Sequence, residues 1–366
     1  MRRILVFGAT GYSGRMVVAE LARQGQPIAI ADRDRGRLDA LYPELGLPAD
    51  VPCAVADVLQ PASLPPLFAA DVGAVINCAG PFTLLGEPVV AAAIAAGAHY
   101  LDLSGEPPYL ARIVDRYAGP AQARGCAVIP ACGVEYALAN WVAALAARGL
   151  EPVDHLWTAF GLIGSRPSKG TQRSFFVALA QPGVGWRGGR RVPYPPGRTM
   201  RWVTLPSPFG RRLALSSPLG ELLTIPRHVQ VTTMDSYLAL PAAPALALRM
   251  LSPFLPVLAP GAGRVLEPLT RNPPPDYVER SQCAVVAQAR SRHGRRRVVV
   301  QGRQVYRLAA AIVCWCAMQT LAPAFTAQGV LGPAEAFDPA TALPALARYG
   351  VRYGVWPAAR GTRSAL

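Results

Sequence analysis

The chain holds 366 residues, with 37 basic and 22 acidic side chains and a formal net charge of +15. Its length exceeds one ordinary core and predicts two domains. Seven cysteines, odd in number and without a Cys-x-x-Cys pair, exclude a disulfide framework and a zinc site; they read as reduced, buried thiols of a cytoplasmic protein.

From Arg3 to about Ala147 short apolar runs alternate with longer segments of helical period. Met1-Arg2-Arg3 has the charge of a signal-peptide start, but Gly8 ends the apolar run Ile4–Phe7 after four residues, so a first strand is expected there. Predicted strands are Arg3–Phe7, Pro27–Ala31, Cys53–Ala56, Ala74–Asn77, His99–Asp102 and Ala127–Pro130. Predicted helices between them are Ser13–Gln24, Arg35–Leu41, Ser63–Ala70, Glu87–Ala96 and Pro108–Arg124. Strands without alternation, separated by helices, imply a parallel sheet covered on both faces, an α/β domain of Rossmann type.

Beyond Leu150 the texture changes. The runs His155–Phe160, Met200–Leu205, Leu222–Ile225, Val229–Thr233, Gln282–Gln288 and Arg297–Gln301 are separated mainly by Pro, Gly and Arg, which predicts a second α+β domain with a mixed or antiparallel sheet. A helix is expected at Gly170–Ala180, capped by Ser168 or Thr171. The most apolar segment, Tyr237–Val257, is broken by Pro241, Pro244, Pro253 and Pro256 and is too interrupted to span a bilayer. It reads either as a helical hairpin over the core or as a greasy surface meeting lipid, as in peripheral membrane contact, or a partner subunit, as in a homodimer. The arginine cluster Arg290–Arg297 looks like a hairpin tip with Gly294 in the turn. It carries no interleaved aromatics or nucleic-acid motif, so no nucleic-acid partner is expected. Leu308–Leu321 reads as a buried helix and Pro333–Tyr349 as one or two short elements. The outline is a dinucleotide-binding domain over 1–135, a substrate or dimerisation domain over 136–305, and a helical return over 306–366.

Directly after the first strand stands Gly8-Ala-Thr10-Gly11-Tyr12-Ser13-Gly14, with a helix following at once. Glycines there let the chain turn sharply and bring backbone N–H groups against a pyrophosphate, which the helix N-terminus also favours. At the end of the second strand, Asp32 would meet the ribose hydroxyls of NAD, whereas Arg33 would accommodate the 2′-phosphate of NADP. The positive field tilts the expectation to NADP, with NAD as the alternative. Asp57 and Val58 are placed to meet the adenine, although Asp57 fits a helix cap equally well.

Further motifs follow: Asn77-Cys-Ala79-Gly80-Pro81-Phe82, Gly86-Glu87-Pro88, and Ala96-Gly97-Ala98-His99-Tyr100-Leu-Asp102-Leu-Ser104-Gly105-Glu106-Pro107. Together with the Gly8 loop they resemble the saccharopine dehydrogenase-like oxidoreductases, a family that includes trans-acting enoyl reductases acting on lipid chains. The resemblance runs through about the first 145 residues, resumes at Lys169-Gly-Thr171-Gln-Arg-Ser174, and is weak near Tyr306, Gly329–Glu335 and Arg348-Tyr349-Gly350. It implies a Rossmann domain, a second α/β domain and a C-terminal return. It also implies that Ala79, Gly80, Pro81 and Phe82 border the nicotinamide and that Gly105-Glu106 lie near the cleft; Glu106 has a rival role as a helix N-terminal charge before Pro107. One departure is Cys132-Gly-Val-Glu135-Tyr136-Ala137, where members acting on amino acids often carry Gly-x-x-Pro-Gly.

Hydride transfer needs a positioned nicotinamide and a proton donor or charge stabiliser. Tyr136 and Lys169, the sole lysine, are the expected catalytic groups, with Glu106, Glu135, Thr171 and Ser174 as substrate contacts; each has a structural reading as well. His228 reads as structural, and no cluster has metal-ligand spacing. Three readings stay open. The first is an oxidoreductase reducing an activated C=C or C=O of a small or lipid-like substrate. The second is a saccharopine-type amino-acid dehydrogenase anchoring carboxylates on Arg166, Lys169 and Arg173. The third is a nucleotide-binding or membrane-associated scaffold without turnover.

Overall fold

The non-alternating strands are buried on both faces because helices cover both. In the computed structural model, which describes residues 2–179, 183–254 and 271–357, Arg3–Phe7 (β1), Ile28–Asp32 (β2), Cys53–Val55 (β3), Val72–Asn77 (β4), His99–Asp102 (β5) and Ala127–Ile129 (β6) form one parallel sheet, in the order β6-β5-β4-β1-β2-β3. Tyr12–Arg23 (α1), Arg35–Leu45 (α2), Phe82–Ala96 (α3), Pro107–Ala123 (α4) and Val134–Ala147 (α5) are its main helices. The helix expected at Ser63–Ala70 is replaced by two 3-10 turns, Pro61–Ser63 and Pro65–Leu67. Pro65 and Pro66 have no N–H to donate, so an α-helical ladder cannot propagate there.

The second sheet is mixed. It contains Val153–Ile163 (β7), Val184–Arg187 (β8), Arg190–Pro193 (β9), Met200–Leu205 (β10), Gly210–Ser216 (β11), Val231–Leu240 (β12), Gln282–Ser291 (β13) and Gly294–Arg303 (β14). Gly329–Val330 (β15) crosses back to extend the first sheet beside β6, and Arg352–Pro357 (β16) returns to the edge of the second. The second sheet runs β10-β11-β12-β7-β13-β14-β16, with β12 and β7 its parallel pair. Its helices are Lys169–Leu179 (α6), Glu221–Thr224 (α7), Ala242–Leu251 (α8) and Pro275–Arg280 (α9); Val305–Thr320 (α10), Pro333–Ala336 (α11) and Pro339–Ala345 (α12) follow.

Three expectations change here. Leu222–Ile225 is a buried helical turn running into a 3-10 turn, not a strand; a short apolar run with no alternation does not separate the two. Tyr237–Leu240 completes β12, so the apolar segment supplies one exposed helix, α8, in place of a helical hairpin; its residues 255–257 lie outside the described residues, as does residue 180 of the expected Gly170–Ala180 helix. In the β13–β14 hairpin Ser291 pairs with Gly294, so the turn is Arg292-His293 and Gly294 opens the next strand.

Helix α5 explains how the two sheets are held. Eleven of its fourteen residues are buried, and one apolar cluster runs from Ile4 and Val6 of β1 through Trp141 and Val142 to Phe160, Val285 and Val300 of the second sheet. Trp141 is fully buried, meets Trp315 of α10 edge-on at 6.2 Å, and donates its indole N–H to the Pro333 carbonyl at 3.3 Å. We expect Trp141→Ala to cost about 3–5 kcal/mol of unfolding free energy by urea titration followed by circular dichroism, since the cavity it leaves is shared by both sheets. A change below about 1 kcal/mol would show that the sheets do not share this core.

Candidate functional site

The site begins in the glycine loop. Gly8 is at φ 78°, and a Cβ there would lie 2.9 Å from the Ala79 nitrogen; a Cβ on Gly14 would lie 2.1 Å from the Gly8 carbonyl oxygen. Only glycine lets the loop, α1 and the end of β4 approach so closely. Gly11 is the N-cap of α1, offers no side chain to cap it, and no acidic residue sits in the first turn. The leading N–H groups of α1 are therefore left to an anion, which fits the pyrophosphate of a dinucleotide. Ser13 faces a cavity described below.

Asp32 is committed to the loop. Its Oδ2 accepts from the Thr10 backbone N–H (3.1 Å) and hydroxyl (2.7 Å), and its Oδ1 accepts from the Arg33 N–H (2.7 Å). The Thr10 carbonyl in turn accepts from Arg15 Nε (3.0 Å) and from Arg37 (2.8 Å). Arg33 is exposed beside them. Three guanidinium groups thus gather at the end of β2. Sequence reasoning missed Arg15 and Arg37; a basic residue in the first turn of the helix after β2 was the available signal. Tyr12 points away from the loop: its hydroxyl donates to the Pro273 carbonyl (3.1 Å), its ring meets Tyr306 edge-on at 5.0 Å, and burial pushes the phenol up to about 12. At the end of β3, Asp57 Oδ1 accepts from the Leu59 N–H at 2.9 Å and closes a turn, while Val58 is buried with Leu64 and Leu67. Val58 is thereby packing, and the Asp57 carboxylate serves the turn.

On the other side of β1, the end of β4 is fixed by a buried polar network. The Asn77 amide accepts from the Ala79 N–H (2.9 Å) and donates to Tyr100 (3.0 Å). Tyr100 and Tyr109 converge on Asp102, which also accepts from the Ser104 and Ala131 N–H groups. Burial raises the Asp102 carboxyl above its ordinary range. Beyond the cis Gly80–Pro81 bond, α3 starts, and the Glu106 carboxylate accepts from the Phe82 N–H (2.8 Å), the Thr83 N–H (2.7 Å) and the Ser174 hydroxyl (2.6 Å). Glu106 is fully buried. It is therefore a positioning residue behind the wall, capping α3 and not its own helix, because both oxygens are already occupied.

The end of β4, the start of α3 and Ser13 border one cavity of about 630 Å³. Ser13, Cys78, Gly80 and Phe82 form its cofactor side; Gly105, Glu135 and Tyr136 form its floor; Phe160, Leu215, Leu238 and Leu248 form an apolar wall from the second sheet and α8. Thr171 and Ser174 reach it from the first turns of α6, where Ser168 Oγ accepts from the Thr171 N–H and Thr171 Oγ1 lies 3.2 Å from the Tyr306 hydroxyl. Glu135 faces the cavity, and desolvation together with the buried Glu221 raises its carboxyl to about 7. Glu221 spends Oε1 on Thr158 (3.0 Å) and Ser236 (2.6 Å). Two sequence expectations change. The Tyr136 hydroxyl already donates to the Gly105 carbonyl at 3.0 Å, and its phenol is pushed well above its usual range by burial. Lys169 is exposed and does not line the cavity; only its backbone N–H is engaged, by Asn272. His228, held near 4 by burial and hydrogen-bonded to Asn140 at 3.0 Å, is a neutral structural group.

Comparison with known proteins matches this geometry. Residues 4–149 fit the family model described as the saccharopine dehydrogenase NADP binding domain. The solved apo saccharopine dehydrogenase (L-Glu forming) from Saccharomyces cerevisiae superposes with a TM-score of 0.66 over 98% of this chain and 100% of that one, at 14% identity. Residues 4–149 are thus of the saccharopine dehydrogenase NADP binding domain type, and the chain as a whole shares the fold of the yeast enzyme. A trans-acting enoyl reductase of Mycobacterium ulcerans and a putative one of Mycobacterium tuberculosis are each 38% identical to this chain over 135 residues, 36% of its length. The match spans about a third (32%) of the length of those curated relatives.

In the glycine loop, Gly14→Ala should abolish NADPH binding measured by nicotinamide fluorescence, with the thermal transition still cooperative. Arg37→Met should weaken NADPH about tenfold and leave NADH within about twofold, since a lost charge-assisted contact to a phosphate is worth roughly 1.5–3 kcal/mol. Equal loss for both cofactors would remove Arg37 from the 2′-phosphate site.

Proposed function

We propose that the protein is an NADP-dependent oxidoreductase that reduces an activated C=C or C=O bond of a hydrophobic, chain-like substrate. The observation that carries this reading is the shared chamber: one cavity reaches from the strand ends beside the cofactor loop to an apolar wall of Phe160, Leu215, Leu238 and Leu248. Loop glycines, the uncapped start of α1 and the arginines at β2 would hold NADP, and reduced nicotinamide supplies the hydride when bound. The enoyl reductase relatives bear a name consistent with this chemistry.

Glu135 takes the role of proton donor that Tyr136 had on sequence grounds. Its carboxyl lines the cavity and is half-protonated near 7, whereas the Tyr136 proton is spent on Gly105. Thr171 can donate to a substrate carbonyl oxygen. Ser174 cannot do so while its proton goes to Glu106, and is left to accept. The amino-acid dehydrogenase reading is weaker, because the described residues lining the cavity include no arginine or lysine; Arg166 instead stacks on Tyr277 at 4.2 Å. A substrate carboxylate would meet Glu135 with no cation beside it.

The test is NADPH oxidation with a chain-length series of enoyl and keto thioesters. Turnover should rise with chain length, and kcat should fall as pH rises through about 7, because the donor must be protonated and loses its proton there. Glu135→Gln should lower kcat about a hundredfold with NADPH affinity unchanged and flatten that limb. Turnover confined to an amino acid with its keto acid would favour the saccharopine-type reading, and NADPH binding with no turnover on either class would favour a scaffold.

A further inference from the structure

We propose that the outer face of α8, together with the neighbouring edge strand β10, is a docking surface for an anionic lipid bilayer, and that the cavity receives its apolar occupant from that bilayer past α8. The second clause rests on the oxidoreductase reading; the docking surface itself does not.

Helix α8 is apolar on both sides. Its inner side sends Leu248, with Ser252 just beyond the helix, into the cavity, and buries Ala245. Its outer side presents Leu246 (49% exposed), Met250 (77%) and Leu251 (51%), continued by Phe254 (59%) in the 3-10 turn that follows. Residues 246, 250 and 254 are spaced one helical turn apart and form a ridge. A helix at a water-facing surface normally turns polar residues outward; this one has Arg249 as its only charge.

Strand β10 extends the ridge. Met200 is paired with Leu215, and Trp202 with Leu213; residues directly opposed in an antiparallel pair share a face. Leu215 lines the same cavity as Leu248, so Met200 and the half-exposed Trp202 emerge on the side where α8 lies. The Arg211 guanidinium stacks over Trp202 at 4.4 Å, and Arg249 donates to the Gly197 carbonyl beside Ser252. A hydrophobic ridge rimmed by a tryptophan and guanidinium groups is the arrangement that settles at the headgroup boundary, with side-chain stems in the acyl region and charges outside it.

Charge selects the occupant. A second copy of this chain would set a net charge of +15 against another +15, whereas acidic lipid headgroups neutralise it. Among the described residues no helix is long and apolar enough to cross a membrane, so the contact is one of lying on the surface.

Vesicle flotation of the full-length chain tests this, with phosphatidylcholine vesicles alone and with an equal share of phosphatidylglycerol. The wild type should float with the anionic vesicles at low salt. The double substitution Met250→Asp with Phe254→Asp should weaken partitioning about tenfold or more while NADPH binding and the thermal transition are kept, and Arg211→Glu should weaken it selectively on anionic vesicles. Absence of flotation, flotation that survives the double substitution, or a dimer in sedimentation velocity that the double substitution dissolves would each overturn the proposal. Flotation by a protein that binds no NADPH would strike the oxidoreductase reading and leave the docking surface standing.

Discussion

The Glu106 carboxylate is the interaction on which the site depends. It sits at zero exposure, an expensive position for a charge, and is made tolerable by two backbone N–H groups at the start of α3, the positive end of that helix, and a hydroxyl from α6. Those three donors belong to two different parts of the chain. The carboxylate therefore fixes the Gly80–Pro81 wall relative to the second sheet's helix, and with it the width of the chamber between them. Removing one donor would leave buried charge with too few partners, so the arrangement resists partial disruption.

Most of the first domain was legible in the sequence because each of its elements announces itself locally. The uninterrupted apolar runs at Arg3–Phe7 and His99–Asp102 match the strands residue for residue, and the Gly8 loop sits between a strand and a helix as its spacing requires. Reading failed where the decisive contact is remote. Glu106 looks like a charge at the start of its own helix, and only the fold shows that it serves α3, more than twenty residues earlier. Tyr136 has the chemistry of a proton donor, but the Gly105 carbonyl that takes its proton lies thirty-one residues away. Glu135 owes its raised carboxyl first to burial and then to Glu221, and no local pattern announces either. Lys169 drew attention by being unique, and rarity carries no geometric information.

The distribution of charge follows one rule. Guanidinium groups gather where the adenosine end of a dinucleotide would lie and along the rim of α8 and β10, while the chamber itself holds an uncharged, apolar wall and one carboxyl group that burial keeps half neutral. An interior of this kind lowers the effective dielectric around whatever it encloses and strengthens each polar contact that remains, so a small number of donors suffices.

Helix α5 packs along the second sheet, and α10 links it to β4 and β5 of the first, with Trp141 and Trp315 meeting between the two helices. Residues 4–149 of the chain match the NADP binding domain model, while the likeness of fold, though not of sequence, extends over 98% of the chain. Side chains on β11, β12 and α8 line the chamber far along the chain from the nucleotide loop, so they can be exchanged, and the shape of the chamber altered, without disturbing that loop.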